Sequence, residues 1–227
     1  MANDTNFQIN LENFNVDFKA KINNNFDTRY INPKWSPELT SAQLKYRNAE
    51  KLAEDIILHE NSRYFAIIDG SFIFGDFIEA LVVNNNLLVE QMLISTLSMS
   101  EDNIDSLANL LNGGFVQELN LIVSDYFYSH ERHNLIQYAY DELDKDNKFQ
   151  LAVASSHCKI CIFASGSLKV VIHGSANLRS SSNIEQIVIE VNDDLYDFIH
   201  DYQMKIVNHY ATIKKSIRDS KLWNTIT

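Results

Sequence analysis

The chain has 227 residues and a formal charge of −11: enough length for one large domain with its own core, and too acidic to coat nucleic acid through a broad basic surface. Any nucleic-acid contact is therefore expected to be local, in a small positive pocket. No apolar run approaches the roughly 20 residues of a membrane-spanning helix, and Met1-Ala-Asn-Asp-Thr-Asn6 lacks the basic start and apolar centre of a secretory signal, so a cytoplasmic protein with no membrane partner is expected.

Residues 1–35 are rich in Asn, with scattered Phe and no sustained period, and read as an N-terminal arm. The remainder, 36–227, reads as one domain with its core at about 60–217. Ser36-Pro37-Glu38 is a helix start: a capping hydroxyl, Pro at the first helical position, then an acid. Leu44, Leu52 and Ile56 follow at helical spacing, which predicts a helix to about Leu58. A buried strand is predicted at 64–69, a turn at Gly70-Ser71, a helix at 74–83 and a strand within 87–97. Ser100-Glu101-Asp102 predicts a helix cap, and Gly113-Gly114 its end. A strand at 119–123 leads through a loop to a helix at 133–145. Strands are expected at 149–154, 157–163, 168–173 and 187–191, and Asp193-Asp194 opens a helix to about Ile217, with its acids suited to the helix dipole.

Strands alternating with helices predict an α/β fold with a mixed β-sheet flanked by helices. The sheet is mixed because the strands across Ala164–Ser167 are too close to be anything but a hairpin. The two cysteines, Cys158 and Cys161, have C-x-x-C spacing. Residues three apart on a strand face opposite sides, and both lie among Ile and Phe, so small core residues are the expectation over a redox or metal pair.

No G-x-x-x-x-G-K-[ST], G-x-G-x-x-G or H-E-x-x-H is present, and nothing has the pattern of a four-ligand zinc site. No cofactor is expected. Gly70-Ser71 before a helix can bind an anion, which makes Ser71 a candidate substrate contact; the same residues suit a plain strand-to-helix turn. Ser124–His133 carries Tyr126, Tyr128 and Arg132 between a strand and a helix. These can stack on or clamp a nucleotide, or form a capping loop with an aromatic plug.

The stretch from His157 to Gln186 differs in kind. His157 and Lys159 are two apart, as are Ser175 and Asn177, so each pair leaves one face of a strand. An imidazole, an ammonium, a hydroxyl and an amide are costly to bury idly, and together they suit a phosphate. His157-x-Lys159, Gly174-Ser175-Ala176-Asn177 and Glu185 resemble the H-x-K…G-S-x-N…E signature of the phospholipase D superfamily. This resemblance implies a phospholipase D-like α-β-α sandwich and a metal-independent phosphodiesterase, a nuclease in its compact single-motif members. It implies His157 as nucleophile, Lys159, Ser175 and Asn177 as phosphate contacts, and Glu185 as the carboxylate that orients His157. It also implies a homodimer that pairs two copies of the single H-x-K across one pocket, with His130 or His173 as the alternative second histidine. The superfamily usually has Asp where this chain has Ala164, and a slightly shorter gap between the two motif halves. Three readings stay open: a nuclease of DNA or RNA; a catalytically weak or inactive binding or structural protein of a phage or mobile element, held in a larger phage or host complex; and a lipid phosphodiesterase.

Overall fold

The computed structural model describes residues 34–36, 41–46, 49–68, 72–179 and 183–211. The expected arm up to residue 33, Ser71, and the expected helical turn beyond 211 lie outside the described residues. Among the described residues nine strands form one mixed sheet: β1 (Lys34–Ser36), β2 (Ser41–Tyr46), β3 (Arg63–Ile68), β4 (Val89–Thr96), β5 (Val116–Ser124), β6 (Phe149–Ala154), β7 (Ile160–Ser165), β8 (Leu168–Gly174) and β9 (Glu185–Val191). Their spatial order is β1-β2-β3-β9-β8-β7-β4-β5-β6. The helices are α1 (Ala49–Glu54), α2 (Phe74–Asn84), α3 (Glu101–Asn112), α4 (Asp125–Glu131), α5 (Leu135–Leu143) and α6 (Asp193–Tyr210).

Strand alternation builds three layers. On one face Met92, Ile94, Leu119, Leu121, Phe149, Cys161 and Phe163 join Leu52, Phe77, Leu107 and Ile136 of the helices in the main core. The intervening residues Leu93, Ile162 and Val171 face Tyr196 and Ile199 of α6. The fold is thus the expected α/β arrangement, a mixed sheet between helices. Cys161 is buried in the main core and its thiol is pushed up by burial, while Cys158 is half-buried; both are free. No helix among the described residues is long and apolar enough to cross a membrane.

Two stretches differ from the sequence expectation. The predicted helix over 36–58 is a strand, β2, followed by the short α1. β2 pairs in parallel with β3 along its whole length, Ser41 opposite Arg63 to Tyr46 opposite Ile68. Pairing satisfies the edge of β3, and that outweighs the helical spacing of Leu44, Leu52 and Ile56; Leu52 and Ile56 still enter the core. The predicted loop over 124–133 is largely α4. Its N-cap, Ser124, accepts from Phe127 N at 3.0 Å and donates to Leu97 O at 2.9 Å.

The hairpin expectation holds. Ser165 pairs with Leu168 across Gly166-Ser167. Gly166 has φ 59°, the left-handed conformation that a two-residue II′ turn requires at its first position.

Candidate active site

The topology gathers several chain ends along one margin of the sheet. β4, β5 and β6 run parallel and finish there at Thr96, Ser124 and Ala154. β7 starts there with Ile160 opposite Ser95, β8 ends there at Gly174, and β9 starts there at Glu185 opposite Ile68. Carboxyl ends of parallel strands are where α/β sheets present their loops to ligands.

The connection from β6 to β7 is five residues, Ser155–Lys159, and it must pass over the ends of β5 and β4. Three strand spacings come to about 14 Å, well within the about 20 Å that the steps from Ala154 to Ile160 reach when extended, so the segment crosses off the ladder with slack for the turn in which Ser156 N donates to Ala154 O at 2.8 Å. His157 and Lys159 therefore precede β7, where the sequence placed them on the strand. The segment is tied down along its length. Ser155 Oγ donates to Asp125 Oδ2 at 2.6 Å, Cys158 N to Ser156 Oγ at 3.2 Å, and Gly174 N to Lys159 O at 3.3 Å. Lys159 Nζ donates to His157 O at 3.1 Å. Two of its three N–H groups stay free of that bond. His157 is exposed, and among the described residues its ring makes no hydrogen bond.

The segment after β8 reaches the same place from the other side. Leu97 N donates to Asn177 Oδ1 at 3.1 Å, and Leu178 N to Thr96 Oγ1 at 3.1 Å. Ser100 N closes the loop on Leu178 O at 2.8 Å. With its oxygen occupied, Asn177 presents its amide N–H groups as donors. Ser175 Oγ donates to Glu185 and accepts from Gln186 N at 3.0 Å, and Ser175 N donates to Gln186 O at 2.9 Å. This contact requires Gly174: a Cβ there would stand 2.1 Å from Gln186 O.

The structure thus brings His157 with Lys159, and Ser175 with Glu185, and stations Asn177 over the end of β4. Glu185 is not bonded to His157 as the resemblance implies; it accepts from Ser175 instead. Ala164 lies opposite Lys169 and packs with the α6 cluster. An Asp there would stand over that cluster, on the face opposite Cys161 and Phe163 of the main core.

The alternative second histidines are both engaged. His130 Nδ1 bonds Tyr126 O at 2.7 Å inside α4, and His173 Nε2 bonds Glu190 Oε1 at 3.1 Å. His173 follows Val171 by two residues, so it leaves β8 toward α6. Among the candidate substrate contacts, Tyr126 is exposed and packs on His130 with ring centroids 4.1 Å apart. Tyr128 is half-buried against the main core, where burial raises its pKa. Arg132 caps the far end of α4 and donates from Nε to His133 Nε2 at 3.0 Å. The Tyr126 end of α4 adjoins the segment that carries His157, through the bond of Ser155 to Asp125.

Asp125 is the residue the sequence reading passed over. It opens α4 and accepts from Ser155 Oγ and from Tyr126 N at 2.8 Å. Those bonds, the Ser155 one foremost, hold its carboxyl below the usual range, and the nearby His157 charge adds to the effect. The available signal was an acid placed directly after a strand end.

No known family model and no curated protein matches the chain. Among solved structures it is similar to NucT from Helicobacter pylori, at 14% identity and TM-score 0.49, over 67% of this chain and 99% of that one. It is also similar to a phosphatidylserine synthase from Haemophilus influenzae, at 12% identity and TM-score 0.48, over 70% of this chain and 42% of that one. A third is Nuc from Salmonella typhimurium, described as a phospholipase D family member, at 15% identity and TM-score 0.45, over 66% of this chain and 97% of that one.

Proposed function

We propose that the chain is a metal-independent phosphodiesterase acting on nucleic acid through a phosphohistidine at His157. The observation that carries this reading is that the His157–Lys159 segment and the Asn177 loop arrive at the same margin of the sheet, Lys159 O accepting from Gly174 N and Asn177 Oδ1 from Leu97 N. In this reading a nucleophile, a cation and amide donors act on one phosphoryl group from two sides.

In the first step a ring nitrogen of His157 attacks phosphorus. The P–N bond forms as the P–O bond to the leaving nucleoside breaks. Lys159 and the Asn177 amide stabilise the charge on the phosphoryl oxygens, and Ser175 holds the Glu185 corner beside them. The leaving oxygen takes its proton from a second histidine. His130 and His173 are engaged elsewhere, which favours the partner subunit's His157 in a two-fold dimer. In the second step water attacks phosphorus and gives its proton to that same histidine. The P–N bond breaks and a phosphate monoester leaves.

The test is cleavage of DNA and RNA in excess EDTA. His157→Ala is expected to lower turnover by at least about 10³-fold. Full cleavage by that variant would overturn the assignment. Loss of activity per chain on dilution, in step with dissociation in ultracentrifugation, would support the shared site.

A further inference from the structure

We infer that Asp125, acting through Ser155, is the positioning residue for His157. The proposal rests on the phosphodiesterase reading for its consequence in turnover, but its geometry stands apart from that reading.

The segment from Ser155 to Lys159 spans a gap with no strand partner of its own, so its course is set by side-chain ties. Its far end is fixed by the ladder contact of Lys159 with Gly174. Near its start Ser156 N donates to Ala154 O at 2.8 Å, and the bond that ties it to a neighbouring helix is Ser155 Oγ to Asp125 Oδ2 at 2.6 Å. Asp125 is itself placed by the end of β5 and by its other oxygen, which accepts Tyr126 N at 2.8 Å. Ser155 is two residues from His157, so a displacement at Ser155 passes along a short stretch of backbone to the imidazole. No hydrogen bond reaches the His157 ring among the described residues, and Glu185, the carboxylate expected to orient it, is held by Ser175. The electrostatic proximity of His157 to Asp125 agrees with this placement. An Asn at 125 could keep both contacts only with the Ser155 bond reversed, its amide N–H donating to Ser155 Oγ, and without the negative charge.

The experiment compares Asp125→Ala, Ser155→Ala, their double variant and Ser155→Thr, with two readouts. The first is the Cε1–H resonance of His157 by NMR, assigned by its loss in His157→Ala; it needs no substrate. Both single variants are expected to move this resonance, the double variant to move it no further, and Ser155→Thr, which keeps the hydroxyl, to restore it. The second is turnover: kcat is expected to fall about ten-fold in each alanine variant and no further in the double, with KM unchanged. An unmoved His157 resonance in both single variants overturns the proposal, and so do additive losses. A wild-type protein that cleaves no phosphodiester sinks the phosphodiesterase reading alone, and the resonance still decides the role of Asp125.

Discussion

The two halves of the candidate site are held by different means. The half after β8 is welded to the sheet: Ser175 exchanges backbone and side-chain bonds with Gln186, Asn177 accepts from Leu97 N, and Leu178 is bonded to Thr96 and Ser100. The half before β7 has no strand partner: Asp125 holds one end and Gly174 N the other, and between them the bonds are local, Ser156 N to Ala154 O and Cys158 N to Ser156 Oγ. A rigid donor set facing a suspended nucleophile is a sensible division. The donors must be ready where charge develops, whereas the nucleophile must approach phosphorus and then bear the bond it forms.

The comparison breaks most severely at Gly174→Ala. The new Cβ meets the backbone of Gln186, not a side chain that can turn away. The welded half must move, at a cost of about 3 kcal/mol, so a large loss of thermal stability and of turnover together is expected in melting and kinetic assays. Asn177→Asp separates the roles of that residue. The acceptor for Leu97 N remains, so stability is expected to hold within about 0.5 kcal/mol, while loss of the amide donors lowers kcat by about 10²-fold. Equal drops in stability and rate would instead make Asn177 a brace only. Ser175→Ala and Glu185→Ala test a pairing the resemblance did not imply. Their effects on kcat are expected to match, and the double variant to be no worse than either; a Glu185 effect far beyond that of Ser175 would restore the carboxylate to His157. The smallest effect is expected from Ala164→Asp. It places the missing motif acid against Lys169 and the α6 cluster, and kcat is expected to change less than about two-fold. A large gain would show that the acid reaches the site.

Much of the frame was legible because its signals are local. The short apolar runs of β4 to β9, the turn at Gly166 and the acids opening α6 each sit within one element. β2 was missed: Leu44 falls at helical spacing with Leu52 and Ile56 beyond it, and the pairing that makes it a strand lies with β3, some twenty residues later. The site residues were legible as types in order, but not in their partners. Nothing near His157 in sequence says that its segment must stretch over two strand ends, since that follows from β6 lying at the sheet edge and β7 at its middle. The bond from Ser155 to Asp125 spans thirty residues, and no periodicity records it. Glu185 pairs with Ser175 because β9 begins where β8 ends, a matter of register that the motif leaves unstated.

The II′ turn at Gly166-Ser167 lies at the opposite end of the β7–β8 hairpin from the motif residues. Antiparallel strands can grow at such a turn by one residue each without changing any pairing below it. The distance along the chain between Lys159 and Gly174 is therefore an elastic quantity, free to lengthen in steps of two, while their hydrogen bond stays where it is. A gap longer than usual in the motif is a longer handle on the same tool. Lengthening or trimming that tip by pairs of residues offers a place to insert a label or tag with the chemistry left undisturbed.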